Sequence, residues 1–357
     1  MALYIDKHRP TALQTFEVHA DTASHLRQLV ASGDMPHTLF YGPPGAGKKT
    51  LVSALLREMY GAGTTKLKVE QKAWKIEIPD RASKVEVDLV TVSSNYHVEL
   101  NPSSAGLKDR YVVQEVLKEM ARSRPIDATG KKGFKMVVLN EVDKLSKVAQ
   151  QSLRRTMEKY SAACRLVLVC NSASKVLEAV RSRCLCVRVG LPRHAQVVDL
   201  LQAVAKRERL DLPPVFAERL ARASGRSMRR ALLSLEAARV QQYPFAENQQ
   251  VDAPDWEQYI ATIASDILNT QSPARLFAVR SSVFDLLVNC IPPSLILRTL
   301  AAELMKKLDT DIKHEVAHWA AFYEHRLTMG SKAIFHIEAF VARFMSIYKN
   351  YLMEMMF

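Results

Sequence analysis

The 357 residues include only five cysteines (Cys164, Cys170, Cys184, Cys186 and Cys290), an odd number without the paired spacing of zinc ligands. That excludes a disulfide framework and leaves reduced core or edge thiols, with no metal assigned to them. No apolar run approaches the roughly 20 residues that a helix needs to cross a bilayer. The opening Met-Ala-Leu-Tyr-Ile-Asp-Lys-His-Arg-Pro has no secretory apolar region. The expectation is a soluble intracellular protein without a membrane partner. Internal repeats and low-complexity tails are absent too. Acidic charge is in deficit: 37 Asp and Glu face 50 Lys and Arg, a formal net charge of +13. The excess is local, at +1 for residues 1–100, +10 for 101–190, +4 for 191–250 and −2 for 251–357. A basic excess in one stretch points to a polyanionic partner, nucleic acid or an acidic protein surface. Hydrophobic content of 48% with 24% charged residues is that of an ordinary globular protein, long enough for two or three domains.

Two further letters are missing from a motif that is otherwise whole. Gly42-Pro43-Pro44-Gly45-Ala46-Gly47-Lys48 is a phosphate-cradling P-loop, following an apolar strand (38–41) and opening a helix (50–60). The hydroxyl residue that should follow Lys48 to hold Mg²⁺ is Lys49, and Thr50 comes one place late. One place on a helix is a rotation of about 100°, which turns Thr50 away from the metal position. The apolar run 136–139 ends in Asn140-Glu141 where an Asp-Glu pair is expected, and a neutral amide is a poor ligand for a hard cation. The loop's backbone N–H groups, the helix N-terminus and Lys48 still suit phosphates, since none of them needs a metal. The reading is a nucleotide holder rather than a hydrolase; the bland alternative is a vestigial loop kept for its turn.

Short apolar or β-branched runs at 38–41, 87–92, 136–139 and 166–170 alternate with helical patterns, clearest at 50–60 and 110–121. This predicts an α/β domain with a parallel sheet. From Pro192 the strands stop, and 194–208, 214–223 and 227–240 read as three short amphipathic helices. Residues 241–255 are polar and punctuated by proline, as a linker is. The remainder is helical in pattern, with one helix beginning at Ile291-Pro292-Pro293-Ser294 and a long final one over 332–356.

Several polar residues stand where they can serve the loop. Glu141 occupies the place of a residue that polarises an attacking water, and Asn171 follows the strand 166–170, equally fit to meet a phosphate or to form a turn. Arg183, in Arg181-Ser182-Arg183-Cys184, is placed to leave its own subunit as an arginine finger; read alone, it is a surface ion pair. Arg154 and Arg155 lie on a basic helix face whose plain reading is solvated charge. Arg229 and Arg230 open a helix of the second domain, placed to fold over a nucleotide or simply to face water.

Taken together, Tyr4-Ile5-Asp6-Lys7-His8-Arg9-Pro10, Gly42 to Lys48, Asn140-Glu141-Val142-Asp143-Lys144, Leu153-Arg154-Arg155-Thr156-Met157-Glu158-Lys159-Tyr160, Ser182-Arg183-Cys184 and Met228-Arg229-Arg230 resemble the small subunits of replication factor C. These AAA+ proteins load the sliding clamp PCNA at primer–template junctions. The resemblance covers about the first 240 residues in motifs and the whole length in layout. Lys48-Lys49-Thr50 with Asn140 is similar to one class of these subunits, whose place is the end of a five-membered ring, where no neighbour's arginine completes the site. The resemblance implies an AAA+ nucleotide domain over 1–190, a helical lid over 191–250 and an all-helical collar for oligomerisation over 251–357. It implies bound ATP or ADP, with Mg²⁺ weak or absent. By position, Arg183 is the trans finger, Glu141 a vestigial catalytic glutamate, Asn171 the first sensor and Arg229 the second. Tyr4, Arg9 and Pro10 cradle the adenine, Arg154 and Arg155 lie at the subunit boundary near DNA, and the helix around 110–121 approaches the clamp. The implied partners are four other loader subunits, PCNA and primer–template DNA, in nuclear replication and repair. Two alternatives stay open: an autonomous AAA+ ATPase or remodeller, which needs a metal site, and an architectural subunit of a checkpoint or cohesion loader.

Overall fold

The four apolar runs are all strands, and three more strands accompany them among the described residues. The computed structural model describes residues 2–76, 85–122, 134–161, 163–246 and 249–356. Its strands are β1 (Thr38–Tyr41), β2 (Lys68–Ile76), β3 (Val85–Ser93), β4 (His97–Leu100), β5 (Lys135–Leu139), β6 (Cys164–Cys170) and β7 (Leu185–Arg188). They form one sheet in the order β2-β3-β4-β5-β6-β1-β7. The sheet is parallel from β4 to β7, as expected of the α/β domain, with an antiparallel edge across β2–β3 and β3–β4. Only Ser94 to Tyr96 separate β3 from β4, too few residues for a crossover helix, so the chain reverses in place. β2 escaped notice because its Lys-Val-Glu-Gln-Lys-Ala-Trp-Lys-Ile carries no apolar run.

The central strands read as continuous apolar runs because both their faces are covered. On β1, Leu39 and Phe40 are each fully buried on opposite sides. Leu39 packs with Leu139, Leu168 and the helical segments at 109–122 and Lys147–Lys159. Phe40 packs with Val138, Val167 and the helices Ala20–Ala31 and Lys48–Tyr60. Each such buried side chain is worth roughly 1.5–3 kcal/mol, so burial on both faces, rather than local propensity, fixes the loop that follows β1. The segment at 109–122 is not the uniform helix expected at 110–121: it passes through a π turn over Val112–Val116. Its buried Asp109 accepts from the Ser146 N–H (2.7 Å) and hydroxyl (3.0 Å), while the Ser146 hydroxyl also caps the helix Lys147–Lys159 by accepting from the Ala149 N–H. The two helical segments are thereby clamped side by side at their starts.

Helices His194–Arg207, Pro214–Ala223 and Met228–Gln241 enclose a small core around Leu201, Phe216, Leu220 and Leu235. These helices and the sheet belong to one compact unit, Met1–Val251. In the second unit, Asp252–Phe357, the described residues form the helices Asp255–Asn269, Pro273–Val288, Pro293–Lys306, Thr310–Met329 and Ala333–Met356. In the last, Ile337, Phe340, Val341 and Phe344 are buried at the spacing of a single helix face.

Candidate nucleotide-binding site

The loop after β1 and the helix Lys48–Tyr60 present Lys48 inward, buried. Its ammonium donates to the carbonyls of Gly42 (2.5 Å) and Pro43 (2.9 Å) and to Asn171 Oδ1 (2.9 Å), using the three donors it has. Asn171, at the end of β6, donates its own N–H to Asp143 Oδ2 at 3.2 Å. The structure thus joins Lys48 and Asn171, 123 positions apart. Burial holds the Lys48 ammonium below its ordinary pKa, with Cys170 and Asp143 opposing and Arg229 adding to the lowering. Burial also pushes the neighbouring Cys170 thiol up to about 12. A desolvated cation at the mouth of a helix N-terminus is chemically suited to an anion.

Above the loop lies a cavity of ≈ 140 Å³, with Arg9, Pro10, His19, Thr50, Met228 and Arg229 in its wall beside Gly45 and Gly47. Arg229 comes from the helix Met228–Gln241, whose first turn lies against the loop. A Cβ on Gly45 would stand 2.1 Å from the Ser227 hydroxyl, and Gly45 has a left-handed φ of +78°. Only glycine allows that approach. Tyr4, expected with Arg9 and Pro10 around the adenine, does not line this cavity. It is 4% exposed in the lid core, its N–H donating to Glu236 Oε2 (3.1 Å) and its hydroxyl bound by Arg239. Its aromatic bulk is used to seat the N-terminal segment on the lid. His19 was not anticipated: at a left-handed φ of 66° it bonds the Ala46 carbonyl through Nε2 (3.1 Å), and burial lowers its pKa. Only that backbone conformation brings it to the loop, so nothing in the sequence marks it.

The metal positions do not fit Mg²⁺. Lys49 brings an ammonium rather than a hydroxyl oxygen, and it pairs with Glu99 Oε1 at 3.0 Å. Asn140, 4% exposed, turns its N–H donor to the same oxygen at 2.6 Å. Magnesium requires oxygen ligands at close octahedral distances, and here a cation and a donor face the space instead. Thr50 faces the cavity above the loop, while Lys49, Glu99 and Asn140 share a second one of ≈ 220 Å³. Glu99 was also missed; it sits on β4 opposite Val138 of β5, a pairing that only the sheet creates.

Glu141 has a left-handed φ of 55° and accepts from Asn101 Nδ2 (3.3 Å) and the Ser103 hydroxyl (3.4 Å), with Lys144 Nζ at 3.0 Å. Burial works against its charge, but the bonds from Lys144 and Asn101, the Lys144 charge and Ser103 outweigh it and hold the carboxyl below its usual range. Glu141 is therefore a charged acceptor engaged on three sides.

Arg183, after the short helix Glu178–Arg181, is bound within its own chain. Its Nε and Nη2 reach Glu158 Oε1 at 2.8 and 2.7 Å, and Nη1 donates to the Ala179 carbonyl at 2.8 Å. Arg154 shares that Glu158 oxygen at 3.3 Å. Arg155 turns elsewhere, into a groove of ≈ 610 Å³ between the segment at 109–122 and the helix Lys147–Lys159, where Arg110, Lys118, Lys159 and Tyr160 join it and, among the described residues, no acidic side chain lines the wall. The paired arginines thus divide between two places.

Three family models match successive parts of the chain: DNA polymerase III, delta subunit, over residues 18–191; the RCF1/5-like AAA+ ATPase lid domain over 199–240; and the replication factor C subunit 3 C-terminal domain over 256–352. Among similar proteins, replication factor C subunit 5 of Oryza sativa subsp. japonica is 60% identical over 99% of both chains. Replication factor C subunit 3 of Arabidopsis thaliana is 59% identical over 99% of both, and that of Homo sapiens 50% over 99% of this chain and 98% of its own. The RuvB Holliday junction branch migration motor of Thermotoga maritima superposes with a TM-score of 0.51 at 15% identity, covering 77% of this chain and 85% of the motor, which shows a shared AAA+ fold. Carrying the loop, lid and C-terminal helical unit of such proteins from end to end, the chain belongs to the replication factor C family of clamp-loader subunits.

Proposed function

We propose that this chain holds ATP or ADP between its phosphate loop and its lid, turns it over negligibly by itself, and works within a five-chain, ATP-driven loader that places PCNA on primer–template DNA in the nucleus. One observation carries the reading: a whole phosphate cradle, centred on Lys48 and Asn171, stands beside metal positions occupied by the Lys49–Glu99–Asn140 group. Phosphoryl transfer depends on positioning and on neutralising developing charge, and a metal normally supplies much of the latter. Loop N–H groups, Lys48 and Arg229 bind and orient the phosphates; Glu141 occupies the catalytic position without a metal partner.

The chain's contribution to catalysis is then made elsewhere. Arg183 passes from Glu158 to the phosphate of the adjacent subunit, with Arg154 keeping Glu158 paired. The groove of Arg110, Lys118, Arg155 and Lys159 follows the DNA backbone by charge and without reading bases, and the outer side of the segment at 109–122 approaches the clamp. An autonomous ATPase is disfavoured by the metal positions, whereas service in a checkpoint or cohesion loader calls for the same features. The test is hydrolysis by the purified full chain. It should bind nucleotide yet show no multiple turnover, and turnover abolished by Lys48→Ala would overturn the assignment. Native purification should recover four other AAA+ chains.

A further inference from the structure

The two positions that fail as metal ligands are tied to each other. Glu99 Oε1 receives both the Lys49 ammonium (3.0 Å) and the Asn140 amide N–H (2.6 Å). A carboxylate can only accept, so the Asn140 amide cannot be reversed, and its Oδ1 is left buried without a partner. The Lys49 side chain, by contrast, is 57% exposed, at the second cavity that Arg9 and Pro10 also line. Glu99 is thus a counter-ion for which the nucleotide chemistry described above has no use, held beside a cation at the metal position.

We infer that Lys49 is the resident cation of this nucleotide site, kept ready by Glu99, and that the bound phosphates are recognised without a divalent metal. The inference rests on the nucleotide-binding reading and names how that site neutralises its ligand. The lysine stem is flexible and its ammonium has three donors, so it can exchange a singly charged carboxylate for a more highly charged phosphate. The Asn140 amide makes that exchange tolerable, because Glu99 keeps its N–H donor when the ammonium leaves. An aspartate at position 140 would instead add a second carboxylate to hold Lys49 back. The two departures from a metal site are therefore one coupled change, a mobile charge with its counter-ion in place of a coordinated ion.

The experiment is a calorimetric titration of the full chain with ADP, in EDTA and again in Mg²⁺, with thermal melts confirming that each variant is folded. The natural chain should bind ADP with dissociation constants that agree within about threefold in the two buffers. Lys49→Met should weaken binding by about 10- to 100-fold, the worth of a charged hydrogen bond, and Mg²⁺ should not restore it. Glu99→Gln, which releases the ammonium, should tighten binding in EDTA. Lys49→Thr combined with Asn140→Asp should bind well in Mg²⁺ alone. Tenfold tighter binding of the natural chain in Mg²⁺, unchanged EDTA affinity in Lys49→Met, or weaker binding in Glu99→Gln would each overturn the inference while leaving nucleotide binding intact. Failure to bind ADP in either buffer would instead remove the nucleotide reading beneath it.

Discussion

Replacing Gly45 with alanine tests whether the lid rests on the phosphate loop. An L-residue forced into the left-handed φ of +78° costs about 1–2 kcal/mol. The new Cβ would also stand 2.1 Å from the Ser227 hydroxyl, so either the loop or the start of the helix Met228–Gln241 must move. Ser227 caps that helix by accepting from the Arg230 N–H, and dislodging such a cap costs about 0.5–2 kcal/mol. The two effects together predict a loss of roughly 1.5–4 kcal/mol in the Met1–Val251 unit. Gly33 supplies the control, since its φ is +80° and nothing lies within 4 Å of an added Cβ. Gly33→Ala should show the strain alone, about 1–2 kcal/mol. Adding Ser227→Gly to Gly45→Ala removes the colliding atoms, and because glycine caps a helix almost as well as serine, the collision part should be recovered. Hydrogen exchange at the amides of β1 and β6 reads the stability of this unit separately from the C-terminal helices. Equal losses for Gly45→Ala and Gly33→Ala, with no rescue by Ser227→Gly, would refute the placement of the lid.

Because burial lowers the Lys48 pKa, its charge disfavours the folded state; the unfolded chain holds more protons between that lowered value and the ordinary 10.5, so stability without nucleotide should rise with pH across this window. ADP affinity should fall over the same window as the ammonium is lost, and titrations in alkaline buffers will check the sign. In an assembled ring, Arg183→Ala should depress hydrolysis at the site it serves by on the order of 10³-fold, while ADP binding to this chain is unchanged; a ring that loads clamp at the normal rate would make Arg183 a structural charge. Arg155→Ala should lower the slope of log affinity against log salt for duplex DNA by roughly 0.9, whereas Arg154→Ala, whose side chain is bound to Glu158, should leave the slope unchanged; ring size measured in parallel separates DNA contact from subunit bracing.

The readable part of the site was its local part. A P-loop is a contiguous run that needs a buried strand before it and a helix after it, and the apolar run at 38–41 and the helical pattern at 50–60 announced both. The substitutions at Lys49 and Asn140 were equally plain, since a side chain without ligand oxygens is visible in one letter. The residue that explains them was not. Glu99 lies 50 positions from Lys49 and 41 from Asn140, in a strand too short and too mixed to stand out. The antiparallel edge of the sheet was missed for a similar reason, since β2 is largely polar and offers no apolar run of strand length. Tyr4 shows the opposite limit: its motif lies with Arg9 and Pro10 at the cavity wall, but the motif does not say that the ring itself turns into the lid core.

By itself, then, the sequence determined the fold class, the phosphate loop, the loss of metal ligands and the basic middle of the chain, because each is written in composition, period or adjacent residues. Tertiary structure alone decided which charges meet. It put Arg183 on Glu158, which Arg154 reaches through helical i,i+4 spacing alone, sent Arg155 to the groove with Arg110 and Lys159, and closed Lys49 and Asn140 on Glu99. An ion pair forms where folding brings two side chains within about 4 Å, and strand order and helix packing set that distance without leaving a periodic trace in the sequence.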